Sequence, residues 1–219
     1  MGAIATSIRQ LKSELPSTVT LVAVSKFKPA EAILEAYGAG QRDFGENRPQ
    51  EFAAKADALP ADIRWHFIGH LQTNKVKLVV PRAILIHSVD SERLLAEIDR
   101  VSRTLDKVTD CLLEIHIAAE ETKQGFLPDE ALAIAARAAE FPNVRLRGVM
   151  GMATFTDDAA QVRSEFRTLK DFSGQLQAIL PGSDIVSMGM SHDWPLALEE
   201  GTTIVRIGTA IFGLRNKTI

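Results

Sequence analysis

Eight short apolar runs, each closed by polar or glycine residues and separated from the next by a longer helix-patterned segment, constrain this chain more than any other feature. The runs end near Lys26, Gly45, Gly69, Val89, His116, Met150, Met188 and Ile207. Their length and apolar content read as buried strands. Segments starting near Pro29, Pro49, Thr73, Ser91, Pro128, Asp158 and Asp193 read as helices, because Pro, Ser, Thr and Asp favour helix starts. Strands alternating with helices pair in parallel through right-handed crossovers, and eight such units close into a barrel. The expectation is one α/β domain over residues 1–219: a single (β/α)8 TIM barrel with an extra N-terminal helix over the amphipathic segment at residues 3–15. An open doubly wound sheet is the alternative. It loses support because Ser25-Lys26-Phe27-Lys28-Pro29 stands where a dinucleotide-binding fold would carry its glycines.

Charge narrows the partners. With 25 basic and 28 acidic residues the net charge is −3, and no basic block stands out, so the chain lacks the electrostatic footprint of a nucleic-acid binder. The N-terminus lacks a basic leader followed by a long apolar stretch, and no segment is apolar enough for long enough to span a bilayer. A cytoplasmic protein with a small-molecule or protein partner, and no membrane partner, is expected. The single cysteine, Cys111, lies in the apolar run Cys111-Leu112-Leu113 and reads as a small buried side chain.

In a barrel of this kind the loops after the strands gather on one face and carry the chemistry. Lys26 closes the first strand there. Burial lowers a lysine's pKa, and the neutral amine condenses with aldehydes to a Schiff base, as lysines that hold pyridoxal phosphate do. Taken alone, Lys26 fits a snorkelling lysine at a strand end at least as well. Across the mouth, Ser187-Met188-Gly189-Met190-Ser191 follows strand seven, and Arg206-Ile207-Gly208-Thr209-Ala210 spans the end of strand eight. These are the loops that most often bind phosphate in this fold, through close backbone N–H groups and hydroxyls. Arg206 lies inside an apolar strand and must find an acceptor; a pyridine nitrogen or an acid such as Glu114 would serve.

The motifs Val22-Ala23-Val24-Ser25-Lys26, Phe44-Gly45-Glu46-Asn47, Trp65-His66-Phe67-Ile68-Gly69-His70-Leu71-Gln72-Thr73-Asn74-Lys75, Arg147-Gly148-Val149-Met150, Ser187-Met188-Gly189-Met190-Ser191 and Val205-Arg206-Ile207-Gly208-Thr209 resemble the YggS/PROSC family of pyridoxal phosphate homeostasis proteins. The resemblance covers nearly the whole chain. It implies an alanine-racemase-type barrel with pyridoxal 5'-phosphate carried on Lys26 as an internal aldimine. It also implies Asn47 near the ring substituents, Arg206 facing the pyridine nitrogen, and Ser187, Ser191, Gly208 and Thr209 holding the phosphate, with Met150, Met188 and Met190 as apolar contacts around the ring. Two departures stand out: Arg48-Pro49, where many relatives carry an aromatic and an aliphatic residue, and Trp194-Pro195 after Asp193.

The implied role is to buffer or deliver the cofactor without a robust reaction, with pyridoxal-phosphate-dependent apoenzymes as partners and a monomer as the state. A working amino-acid racemase is the competing reading. It needs a second base, and the only tyrosine, Tyr37, falls near the end of the first outer helix. A metal-dependent barrel hydrolase built on His66, His70, His87, His116 and His192 is a third, weakened because His66 and His70, four apart on an extended strand, do not by themselves make a chelate. Lys28 and Lys123 are further lysines near the mouth, read as transfer residues or as solvated rim charges.

Overall fold

All eight runs form strands, and the sheet they build closes on itself. The computed structural model describes residues 2–120 and 124–214. Helix α1 (Ala3–Glu14) precedes β1 (Thr20–Val24), followed by α2 (Ala30–Gly38), β2 (Asp43–Glu46), α3 (Pro49–Ala58), β3 (Arg64–Phe67), α4 (Val76–Val79), β4 (Leu85–Val89) and α5 (Glu92–Thr104). Then come β5 (Thr109–Glu114), α6 (Pro128–Ala136), β6 (Val144–Met150), α7 (Ala159–Ile179), β7 (Ile185–Ser187), α8 (Trp194–Glu199), β8 (Ile204–Ile207) and α9 (Thr209–Phe212). Neighbours pair in parallel in chain order, and β8 returns to β1 with Val205 opposite Leu21 and Arg206 opposite Val22. The result is a (β/α)8 barrel with α1 outside it.

Several helix starts use the residues that announce them. Ser91 Oγ accepts from the Leu94 N–H, Asp158 Oδ1 accepts from the N–H groups of Ala160 and Gln161, and Pro49 and Pro128 occupy first helical positions. The crossover after β3 is the thinnest. A 3-10 turn at Thr73–Lys75 leads into the single turn of α4, because a valine-rich segment stopped by Pro81 cannot extend further. The short α9 goes beyond the sequence reading, which ended at β8 with a Gly-Thr turn.

Side-chain alternation sorts the strands into two apolar regions. Outward residues such as Leu21, Phe44, Phe67, Ile86 and Val205 join the helices in one large core, while Val22, Leu85, Leu112, Met150 and Ile204 fill the barrel interior. Strand β6 changes phase part-way. Cys111 pairs with Leu146 but Leu112 pairs with Gly148, so Arg147 is an extra residue in the ladder. That bulge lets Leu146 and Val149, three apart, both face the outer core, and turns Met150 inward. Cys111 is fully buried, and burial pushes its thiol pKa up, which leaves it unreactive.

Candidate functional site

Strand β1 sends Val22 inward, and its period of two carries that phase through Val24 to Lys26 at the C-terminal mouth of the barrel. The turn that follows is strained: Phe27 has φ of 62°, a left-handed conformation costing about 1–3 kcal/mol for a bulky residue. Helix α3 holds it there. The Phe27 N–H donates to Glu51 Oε1 at 2.7 Å, and the Arg48 guanidinium lies 4.3 Å from the Phe27 ring centroid. Lys55 Nζ donates to the Ser25 carbonyl (2.8 Å), Glu46 Oε1 (2.7 Å) and Glu51 Oε1 (2.7 Å), and Ser25 Oγ donates to Glu46 Oε1 at 2.6 Å. Arg48 therefore braces the lysine turn, and Pro49 starts the helix that anchors it. Lys28 is no solvated rim charge: its Nζ donates to the carbonyls of Phe212 (2.8 Å) and Gly213 (3.2 Å), capping α9. Lys123 lies outside the described residues.

Lys26 opens into a cavity of about 460 Å³, within the usual size range for small-molecule sites. Asn47, Ser191, Arg206, Gly208 and Thr209 line it with Lys26, joined by Glu114, Met152, Met190 and His192. An adjoining depression of about 650 Å³, lined by His70, Thr73, Asn74, Asp90 and Arg93, contains no nucleophile able to take an aldehyde.

Three loops shape the cavity wall. A Cβ on Gly69 would lie 2.3 Å from the Asn47 carbonyl oxygen, so only glycine lets the loops after β2 and β3 touch and present Asn47 to the cavity. Asn47 Oδ1 is buried there without a hydrogen-bond partner. Ser191 Oγ accepts from the N–H groups of Gly208 (3.2 Å) and Ala210 (3.4 Å), tying the loops after β7 and β8 into one turn at the start of α9. Trp194-Pro195 leaves that turn intact, forming the first residues of α8 with Trp194 packed on the core. Arg206 is 5% exposed; its Nη1 donates to Ser187 Oγ at 2.7 Å and its Nη2 to the Gly151 carbonyl at 3.1 Å. Burial pulls its pKa down to about 10, opposed by the charges of Asp193 and Glu114, which still leaves it cationic at neutral pH.

The model of the family described as alanine racemase, N-terminal domain, matches residues 1–216. A pyridoxal phosphate homeostasis protein of Aquifex aeolicus is 43% identical over 200 residues, covering 89% of this chain and 86% of that one. The chain belongs to this pyridoxal phosphate homeostasis family. Among solved structures, PipY of Synechococcus elongatus without PLP superposes with a TM-score of 0.91 at 41% identity, covering 96% of this chain and all 100% of that one. The same protein with PLP bound gives 0.87 at 40% identity, with the same coverage. An alanine racemase of Streptomyces coelicolor shares the fold alone, at 21% identity and a TM-score of 0.76, and the chain spans 58% of its length.

Within this homeostasis-family barrel, the residues singled out from sequence do not all reach the cavity. Ser187 is fully buried beneath it, its hydroxyl taken by Arg206 and by His87 Nδ1 at 2.9 Å, so it supports the guanidinium rather than a phosphate. Met188 packs in the outer core and Met150 in the barrel interior; Met190 and Met152 are the methionines at the cavity wall. The histidines are dispersed: His66 and His87 pair inside the barrel, His70 bonds Asp90 at 3.0 Å, and His192 stacks edge-on to Phe155. Among the described residues, no three His, Cys, Asp or Glu gather as a metal-binding group. Tyr37 donates to Asp62 at 2.8 Å beneath the Arg42 guanidinium, at the C-terminal end of α2 and hence at the opposite end of the barrel from Lys26.

Sequence reasoning named Glu114 only as a possible partner for Arg206. It lines the cavity at 4% exposure, and burial, reinforced by the negative Asp90, pushes its pKa up to about 7 against the pull of Arg206 and His70. A carboxyl whose folded pKa exceeds its ordinary 4.5 stabilises the fold fully at low pH and loses that contribution as pH rises through about 7. The shift corresponds to about 3 kcal/mol. Glu114→Gln removes the titration. In urea unfolding of the cofactor-free protein, the variant should gain on the parent between pH 5 and pH 8 by up to about 3 kcal/mol. Parallel stability curves would mean that Glu114 titrates as an ordinary surface acid.

Proposed function

We propose that this chain binds pyridoxal 5'-phosphate at the barrel mouth through the Lys26 amine and takes part in cellular homeostasis of the cofactor, holding it and handing it on without a robust reaction of its own. One observation carries the reading: a single cavity is lined by a lysine amine, a buried cationic guanidinium and a hydroxyl-bearing turn at the start of a helix. When bound, the cofactor supplies an aldehyde that an amine captures reversibly as a Schiff base. Lys26 is the nucleophile. Arg206 donates to the ring nitrogen and, being cationic, keeps it unprotonated, which disfavours the carbanion chemistry of racemases. Ser191 and Thr209 donate their hydroxyls to the phosphate, and Gly208, its N–H held by Ser191 Oγ, lets the turn approach it closely. Asn47 Oδ1, buried and unpartnered, accepts from the ring hydroxyl.

The relatives' role supports carriage over catalysis, and the position of Tyr37 near the end of α2, at the opposite end of the barrel from Lys26, supports the same reading. The reading includes a monomer as the working unit, apoenzymes that need the cofactor as recipients and the cytoplasm as compartment. Among the described residues no helix is long and apolar enough to cross a membrane.

The test is to titrate the purified protein with pyridoxal phosphate, record the imine absorption, reduce with borohydride and map the labelled peptide. D- and L-alanine are then assayed for interconversion. A label on Lys26 without racemisation is expected. Turnover at enzymatic rates would make the chain a racemase, and a label elsewhere would displace Lys26.

A further inference from the structure

A line of buried polar side chains runs through the barrel from its lower rim to Arg206. Arg64 clasps Asp43, its Nε donating to Oδ1 at 2.7 Å and its Nη2 bonding Oδ2. Asp43 Oδ1 lies 3.1 Å from His66 Nε2, His66 Nδ1 lies 2.9 Å from His87 Nε2, and His87 Nδ1 lies 2.9 Å from Ser187 Oγ, which accepts from Arg206 at 2.7 Å. His66, His87 and Ser187 are 3%, 0% and 0% exposed, in a barrel that could have been filled with aliphatic side chains at lower desolvation cost.

The two ends fix the order of the protons. Arg206 has only donors and the Asp43 carboxylate only acceptors. If Arg206 donates to Ser187, the Ser187 hydroxyl donates to His87 Nδ1, His87 Nε2–H to His66 Nδ1, and His66 Nε2–H to Asp43. Every proton is then used once and both imidazoles are neutral. The reverse order needs a charged His66 and leaves Ser187 Oγ accepting from both Arg206 and His87, adding a second cation to the barrel that already holds Arg206. Burial, aided by the charge of Arg206, holds His87 well below the usual histidine pKa, in keeping with a neutral ring.

We propose that Ser187, His87, His66 and Asp43 form a proton-ordered relay of positioning residues that fixes the Arg206 guanidinium for its contact with the ring nitrogen of the bound cofactor. The contact with the cofactor rests on the binding reading given above, whereas the proton order stands without it. In the relay each residue orients the next, and the Asp43–Arg64 pair at the lower rim anchors the far end.

The test begins on the cofactor-free protein. Two-bond nitrogen–proton couplings in 15N-histidine NMR should show His66 and His87 both neutral and protonated on Nε2. A proton on His87 Nδ1, or a charged His66, overturns the order. Asp43→Asn and His87→Phe are then loaded with pyridoxal phosphate. Each should raise the dissociation constant about tenfold, the equivalent of one good hydrogen bond, and shift the imine absorption maximum. Asp43 is at the opposite end of the barrel from the cavity, so an unchanged spectrum and affinity in Asp43→Asn overturns the positioning role, even if His87→Phe fails to fold. If the parent protein forms no imine, the binding reading falls, while the histidine tautomers still decide the relay's order.

Discussion

Lys26→Ala should abolish the imine absorption and the borohydride-stable attachment of pyridoxal phosphate while changing unfolding free energy by no more than about 1 kcal/mol. The side chain is only partly buried, and the turn beneath it is held by other groups: the Ser25 carbonyl on Lys55, the Phe27 N–H on Glu51, and Arg48 over the Phe27 ring. Removing the amine therefore removes the nucleophile and leaves the loop. Arg206 and the Ser191–Thr209 turn should retain weaker, non-covalent binding, measurable by equilibrium dialysis. The neighbouring lysine provides the contrast. Lys28 is occupied with the last carbonyls of α9, so Lys28→Ala should keep the imine band and lower thermal stability instead. A band that persists in Lys26→Ala and is lost in Lys28→Ala would reverse the assignment.

Gly148→Ala should be the most damaging single methyl group in the chain. Gly148 sits at the β6 bulge with φ of 142°, and a Cβ there would lie 1.9 Å from the Ile185 carbonyl oxygen and 2.7 Å from its carbon. Those are backbone atoms of β7, so no rotamer change relieves the clash. Relief requires either parting β6 from β7 or undoing the bulge. Undoing it would turn Leu146 or Val149 away from the helices, at about 1.5–3 kcal/mol for each apolar side chain removed from the core. With backbone strain added, a loss of about 4 kcal/mol or more is expected, seen as a low urea midpoint or as insoluble protein. An unfolding curve that overlays the parent's would mean that the bulge does not need a glycine.

The strand ends and the first turns of most helices were legible in the sequence because each rests on local chemistry: β-favouring runs, Pro at first helical positions, and Ser91 and Asp158 as caps. Lys26, Asn47, Ser191, Arg206, Gly208 and Thr209 were legible as residues on loops that the barrel must bring together. What was not legible depends on the third dimension. Ser187 and Ser191 look alike in a Ser-Met-Gly-Met-Ser segment, and only the closed barrel puts one under Arg206 and the other at the cavity. His66 and His87 sit on neighbouring strands 21 residues apart, and nothing local pairs them. The bulge in β6 shifts the inward phase by one residue, which is why Met150 rather than its neighbour fills the interior.

Because β1 and β8 are neighbours, the Lys28 contact fastens the first strand-to-helix turn to the last helix. Slow amide exchange should reveal the two as one cooperative unit. The amides of Lys28 and Gly213, bonded to Ser25 and Thr209 respectively, should open with a common free energy and respond together to any change at residue 28. The loop that carries Lys26 is thus braced from two sides, by α3 and by the final turn of the last described helix, and thermal fluctuations at that last helix reach the cofactor's proposed attachment point.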